Sequence, residues 1–172
     1  MNDKTMRVTK KEYGELIGEL VLTCGFGYFN LAKDLNEVED MDDYLIYMTY
    51  YLFLSKKIVE RKYSNKDIDV FINEAVNYIC KSLSEDKSKE MPGDKNLINK
   101  ILSNLSSFDI DITLMKDLDK LVKSFEKDWG LKTSKEIDMK VFNELLTFII
   151  NHTKSLLDNN IKVIRAEIVE HE

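Results

Sequence analysis

The chain has 172 residues, of which 44% are hydrophobic and 33% charged, and it carries a net charge of −6. The single proline and six glycines favour long helices over a β architecture with many turns. The negative charge argues against nucleic acid as the main partner, because that binding depends on lysines and arginines that displace counterions. The sequence also has no apolar run of about 20 residues that could cross a membrane.

The cysteines and the N-terminal residues indicate where the protein works. Cys24 and Cys80 both fall on or beside apolar helical faces, and the polar N-terminus lacks a secretory signal pattern. We therefore expect reduced thiols and a cytoplasmic location.

The first helix is predicted to begin at Thr9. Thr9 and Glu12 have the S/T-x-x-E spacing in which a hydroxyl and a carboxylate hydrogen-bond the free backbone amides of a helix start. Apolar residues at a three-four spacing then continue to Leu35, which predicts one long amphipathic helix.

Glycines interrupt this helical pattern, and each costs about 1 kcal/mol relative to alanine inside a helix. We expect close helix packing at Gly14 and Gly18 and a kink near Gly25. The alternative is that the backbone of Cys24 to Gly27 approaches a bound ligand. A phosphate-binding loop is not indicated, because no strand is visible before the glycines.

An acidic run over residues 34–43 follows the first helix. Its carboxylates could hold a divalent cation, but the run fails as an EF-hand because Glu39 stands where a glycine is required. Acidic residues at the start of the next helix and basic residues at its end match the polarity that the helix dipole favours. We therefore predict no metal site.

Residues 41–63 form the predicted central helix. Between Tyr44 and Leu54 only Thr49 is neither apolar nor aromatic. On a helix these residues cover both sides, and both sides then require burial. The rest of the chain should therefore pack around this helix.

The following segments complete the predicted bundle. A helix with one clean apolar face is predicted from Asp67, after a cap at Ser64. Residues at about 84–94 contain the only proline and are the predicted linker between two helical layers. A short helix over 95–105 follows.

The C-terminal half is predicted to contain an antiparallel helical hairpin. Two consecutive helices repeat apolar residues at steps of three and four, and the second opens with a capping box at Thr133 to Glu136. Gly130 is the predicted left-handed terminator of the first. Residues 161–172 fit a helix or a strand; we favour the helix, because a strand would have only Met6 to Thr9 as its partner.

The sequence thus predicts an all-α fold in which residues 1–172 form a single domain of six or seven helices. Two surfaces are candidates for binding. The first is the tyrosine face of the central helix, proposed as an interface or ligand site: Tyr44, Tyr47, Tyr50 and Tyr51. The second is a basic patch at the end of the same helix: Lys56, Lys57, Arg61, Lys62 and Lys66.

Catalytic residues are scarce, because the chain has only two histidines. His152 lies in an apolar helical stripe, which is typical of a core histidine. Arg165 and His171 have the spacing of the R-x4-6-H motif, and the segment resembles the HEPN family of helical-bundle ribonucleases. The resemblance implies RNA cleavage without metal by this pair, usually across a dimer, although Ala166 stands where the family usually has a polar residue.

Three functions follow from these patterns. We favour a non-enzymatic protein without a cofactor that binds another macromolecule, most simply a protein, as an inhibitor, adaptor or regulatory subunit of a bacterial or phage system. Tyrosine-rich surfaces are typical of such interfaces and also suit a homodimer. The alternatives are the HEPN-like ribonuclease and a small-ligand sensor with a pocket between Cys24 to Gly27 and the tyrosines.

Overall fold

The computed structural model describes residues 5–34, 41–84, 92–132, 139–157 and 165–168. These residues form a helical bundle, as predicted, with one short pair of strands. In chain order the elements are β1 Thr5–Val8, α1 Lys10–Asp34, α2 Met41–Val59, α3 Asn65–Ser84, α4 Pro92–Leu105, α5 Met115–Lys132, α6 Met139–Leu157 and β2 Arg165–Ile168.

Helix α2 lies at the centre of the bundle. Every side chain from Leu45 to Ser55 is buried, and α2 contacts each of the other five described helices. An ordinary surface helix buries only one stripe of its side chains. In α2 the buried residues follow one another without a gap, so other helices cover this stretch on all sides. The predicted central helix is therefore confirmed. Within the described parts of the chain, no helix has the length and apolar content needed to cross a membrane.

Helix α1 begins with the predicted capping box. The Thr9 amide donates to Glu12 Oε1 at 2.9 Å, and the Glu12 amide donates to Thr9 Oγ1 at 3.1 Å. From Lys10 to Asp34 the helix is continuous, so it does not break at Cys24 to Gly27.

The two glycines in the first half of α1 allow close packing against α3. A Cβ atom added to Gly14 would lie 2.6 Å from the Phe71 carbonyl oxygen, and one added to Gly18 would lie 3.0 Å from the Ala75 oxygen. Only glycine fits where two helix backbones approach so closely. The predicted packing role of these glycines is therefore confirmed.

Helices α1 and α3 run in the same direction, because α2 carries the chain back between them. Lys10 Nζ lies 2.9 Å from Asp67 Oδ1 at the start of both helices, and one turn further the rings of Tyr13 and Phe71 meet with centroids 4.9 Å apart. The Ser64 hydroxyl accepts a hydrogen bond from the Asp67 amide, which confirms the predicted cap of α3.

Helix α4 begins three residues before its predicted start, at Pro92. Proline is favoured in the first turn of a helix, where its missing amide proton would have no intrahelical acceptor. Helix α3 ends at Ser84, so the predicted linker at about 84–94 lies mostly outside the described residues.

Helices α5 and α6 run in opposite directions, as the predicted hairpin requires. Along α2, Tyr51 stacks on Phe142 and Ser55 hydrogen-bonds Thr153, so α6 runs with α2. Residue Arg61 near the end of α2 meets Asp111, just before α5 begins, so α5 runs against α2. The connection over 133–138, with its predicted capping box, lies outside the described residues.

One prediction about α5 is wrong. The helix continues through Gly130 to Lys132, so this glycine does not terminate it. Helices frequently end at a glycine that follows an apolar stripe. Here the helix continues for two further residues, so Gly130 lies in its last turn.

The C-terminal segment corrects a second prediction. Arg165–Ile168 is a strand, not a helix, and it pairs in parallel with Thr5–Val8. Val8 is buried while Arg7 is exposed, so this short sheet covers the bundle with one face and meets solvent with the other. The β-branched residues of this segment suit a strand, and the partner that the sequence offered is the one that the fold uses.

The glycine packing leads to a stability prediction. We expect Gly14→Ala to lower the free energy of unfolding by up to about 2 kcal/mol, because overpacking against backbone costs about 1 to 3 kcal/mol and the helix preference of alanine offsets about 1. Gly27→Ala is the matched control, since the nearest atom to an added Cβ is 4.0 Å away.

The control substitution should stabilise the protein by up to about 1 kcal/mol. Urea unfolding followed by circular dichroism measures both variants. Equal stabilisation by the two substitutions would contradict the close approach of α1 and α3.

Candidate functional site

The tyrosines of α2 belong to the core, not to the surface. Tyr47, Tyr50 and Tyr51 are each 0% exposed. Their rings surround Phe125 of α5 and Phe142 of α6, whose own centroids stack 3.8 Å apart. The prediction of an accessible tyrosine interface therefore fails for these three residues in this conformation, because α5 and α6 cover them. The side chain of Tyr44 lies outside the described residues.

Tyr50 keeps its hydroxyl hydrogen-bonded while its ring is buried. The hydroxyl donates to the Asp128 carboxylate and lies 3.0 Å from Ser124 Oγ, and both partners are on α5. Burial raises the pKa of Tyr50, and the bond to Asp128 raises it further, so the hydroxyl stays neutral and donates. This contact fastens α5 to α2.

The proposed ligand pocket beside Cys24 to Gly27 is filled by protein. A Cβ atom on Gly25 would lie 2.7 Å from Met48 Cγ, so the Met48 side chain occupies the space between α1 and α2. Burial raises the pKa of the Cys24 thiol to about 12, which keeps it protonated and therefore poorly nucleophilic at neutral pH. This part of the molecule is packed core.

The basic patch at the end of α2 is largely engaged within the chain. Arg61 lies 3.5 Å from Asp111, and Lys62 Nζ donates to the Leu157 carbonyl oxygen at 3.1 Å. Hydrogen bonds from the Thr113 hydroxyl and amide hold the pKa of Asp111 below its usual value, so its carboxylate is charged beside Arg61. These two cations hold the turn before α5 and the end of α6 against α2.

The remaining members of the basic patch differ in their surroundings. Lys57 lies 3.7 Å from Glu60 and covers the ring of Phe53 at 5.4 Å. Lys56 and Lys66 have no ion pair among the described residues. A patch in which three of five cations have intrachain partners is a weak attractor for phosphate.

The candidate catalytic residues lie partly outside the described residues. Arg165 lies on β2, its side chain is not described, and His171 lies outside the described residues, so the HEPN-like pair stays a prediction. His152 is half-exposed, stacks on Phe148 with centroids 3.9 Å apart, and lies 3.1 Å from the Phe148 carbonyl oxygen through Nδ1. It therefore borders solvent and is not the core residue that its position suggested.

The described residues contain no group of three or more metal-binding side chains. Most of the acidic run over 34–43 lies outside them. The prediction of no metal site therefore stays a prediction for that run.

A groove that the sequence did not predict lies along the contact of α1 and α3. It has a volume of about 400 Å³. Helix α1 contributes Lys11 and Glu15 to its lining. Helix α3 contributes residues at the spacing of one helical face, among them Glu74, Asn77, Tyr78 and Lys81.

The local sequence explains why the groove forms. Gly14 and Gly18 bring the two backbones together, so the longer side chains on either side stand as walls. Lys95 of α4 donates to Asn77 Oδ1 at 3.0 Å and fixes that side chain from outside. The only signal available in the sequence was the pair of glycines four residues apart, flanked on the same helix by Lys11 and Glu15.

The groove lining offers both positively and negatively charged groups to a ligand. Two ammonium groups and two carboxylates line it together with an amide and a tyrosine ring. Tyr78 is half-buried and packs against the core, so its position is set by the fold. Such a surface can accept and donate hydrogen bonds along an extended polar ligand.

Comparison with known proteins supplies no relative. No family model, curated protein or solved structure matches this chain.

The bond between Tyr50 and Asp128 leads to a second stability prediction. We expect Tyr50→Phe to lower the free energy of unfolding by about 1.5 to 3 kcal/mol, the usual effect of deleting a hydrogen bond to a charged group. Asp128→Ala and the double variant complete a thermodynamic cycle with an expected coupling of about 1 kcal/mol. Additive effects of the two substitutions would show that the hydroxyl and the carboxylate do not interact.

Because the Cys24 thiol is buried, we expect the folded protein to lose stability at alkaline pH. The pKa of Cys24 is raised from 9.0 to about 12, so the folded protein keeps a proton that the unfolded chain loses. Its contribution to stability is therefore complete below pH 9 and declines as the pH rises toward 12. Between these limits, the free energy of unfolding should fall more steeply in the wild type than in Cys24→Ala, by about 1.4 kcal/mol per pH unit.

Urea unfolding of both proteins at stepped alkaline pH measures this difference. The difference between the two curves isolates Cys24, because all other titrating groups are common to both proteins. Parallel curves would contradict the burial of the thiol.

Proposed function

We propose that this chain is a non-enzymatic binding protein that recognises another protein and acts as an inhibitor, adaptor or regulatory subunit. We assign the docking site to the groove between α1 and α3. The observation that supports this assignment is the mixed lining of the groove, with Lys11 and Lys81 beside Glu15 and Glu74 around Tyr78.

The charges of the groove favour a protein over a nucleic acid. A polynucleotide presents a continuous line of phosphates, and the sites that bind it are predominantly basic. Here carboxylates share the lining with the ammonium groups, so a phosphate backbone would meet repulsion from Glu15 and Glu74. A polypeptide offers both signs of charge together with backbone donors and acceptors, which matches this lining.

The rigidity of the groove also supports a binding role. The walls belong to two long helices held at close distance through Gly14 and Gly18, and Lys95 braces one wall from α4. A preformed site loses little conformational entropy when a partner binds, and this increases affinity.

The thiols are consistent with the proposed setting. Neither Cys24 nor Cys80 forms a disulfide among the described residues, which suits a reducing compartment, and we propose that the protein acts in the cytoplasm of a bacterial or phage-infected cell.

The proposal predicts that charge reversal in the groove weakens partner binding. The tagged full-length protein is used to capture partners from the lysate of its native host, and each captured protein is produced separately for binding measurements. Glu15→Lys combined with Glu74→Lys should weaken binding by about tenfold or more, since each reversal replaces an attractive contact by a repulsive one.

The matched control is Glu126→Lys combined with Glu144→Lys, which reverses two charges on the exposed surfaces of α5 and α6. It should leave the affinity unchanged. Equal loss of binding in both variants would remove the groove as the docking site. Captured material that consists of RNA, with no protein partner, would overturn the proposal in favour of the nuclease alternative.

A further inference from the structure

Strand β2 has an edge that no described strand covers. The sheet contains two strands in the order β1–β2, so β1 occupies one edge of β2 and the described residues offer no strand for the other. A free edge presents unpaired backbone amides and carbonyls, which readily pair with a further strand. A sheet of two four-residue strands is also marginal without additional strands or packing.

We propose that this edge pairs with β2 of a second copy of the chain. The two strands run antiparallel about a two-fold axis at Ala166, and together with β1 of each copy they form a four-stranded sheet across a homodimer. A two-fold axis requires the same patch on both copies to match itself, and an antiparallel strand pair satisfies this requirement.

The charges of β2 fit this arrangement. With the axis at Ala166, Arg165 of one copy lies opposite Glu167 of the other, and symmetry repeats this pair on the other side of the axis. Directly opposed side chains of opposite charge stabilise an antiparallel pair, and like charges destabilise it.

The sequence on both sides of the strand shows the same mirror pattern. Counted outward from Ala166, Ile164 corresponds to Ile168, Val163 corresponds to Val169, and Lys162 corresponds to Glu170. Aliphatic residues thus mirror aliphatic residues, and each cation mirrors an anion. A segment with this pattern is complementary to its own reversed copy.

Other ways of pairing β2 with a second copy of itself do not place opposite charges across from each other. An axis at Arg165 or at Glu167 places identical charges opposite each other, and parallel pairing in register does the same along the whole strand. An axis between Ala166 and Glu167 sets both charged residues against uncharged ones. Only the axis at Ala166 pairs every charge of the strand with its opposite.

Strand β1 does not offer the same match. An axis at Met6 sets Thr5 against Arg7, and an axis at Arg7 sets two arginines against each other. Arg7 of β1 is exposed and pairs in register with Glu167, so the face of the sheet that carries these two residues meets solvent. The free edge of β2 is therefore the self-complementary one.

Charge exchange tests the proposal directly. Arg165→Glu places carboxylates opposite each other on both sides of the axis, and Glu167→Arg does the same with guanidinium groups. Each single variant should raise the dimer dissociation constant by about tenfold or more, because the symmetry doubles the repulsive pair. The double variant R165E/E167R restores opposite charges across the axis and should dimerise more tightly than either single variant, although position 167 then also places an arginine beside Arg7 of the same copy.

A mixture of the two single variants provides a second test. One copy then carries only acidic side chains at these two positions and the other only basic ones, so a heterodimer should form from two weakly associating proteins. Sedimentation velocity over a concentration series measures all of these species. The control is Lys100→Glu on the exposed face of α4, which should dimerise like the wild type.

The outcomes decide the proposal. A wild-type protein that stays monomeric at high micromolar concentration overturns it. It also fails if the single variants dimerise like the wild type, or if the mixture does not associate although circular dichroism shows that both variants are folded. A variant that does not fold is replaced by the neutral exchanges Arg165→Gln and Glu167→Gln, which remove the opposite charges without introducing like ones. Each should weaken the dimer less than the charge exchange does, and unchanged dimerisation of both contradicts the proposal.

Discussion

The structure depends on one constraint, which is that residues 45–55 of α2 are buried on every side of the helix. From Leu45 to Ser55 every side chain is buried, including Thr49, whose hydroxyl bonds the Leu45 carbonyl of its own helix. A helix of this kind is stable only when other elements cover its whole circumference, because exposed apolar surface costs about 25 cal/mol per Å². The five surrounding helices therefore depend on α2 for their positions and on one another for the burial of α2.

This constraint decides what the charged residues around α2 do. The cations at its end hold the chain segments that cover it, through Arg61 to the turn at Asp111 and through Lys62 to the end of α6 at Leu157. Their contribution as exposed ion pairs is small, but they fix where two covering segments meet α2. Surfaces for recognition then lie on the covering elements, in the groove of α1 and α3 and at the edge of β2.

Local rules of sequence predicted much of the fold. The Thr9 cap and the central helix depend on neighbours within one turn or on the apolar content of one segment, and the two glycines indicated a close helix contact without showing that α3 would be the partner. The environment of the tyrosines could not be predicted, because Phe125 and Phe142 lie far along the chain and only the tertiary fold brings them to α2. The groove escaped prediction for the same reason, since two helices that are not consecutive form it.

The pairing of β1 with β2 has a consequence for the order of folding. All six described helices lie between the two strands in sequence, so the sheet closes a loop that contains the bundle they form. Contacts of such high sequence separation form late, after local helices have docked, and during synthesis β1 must wait until β2 has left the ribosome. A nascent chain that stops before Arg165 would have its helices available for packing, while Thr5–Val8 would still lack the strand with which it pairs.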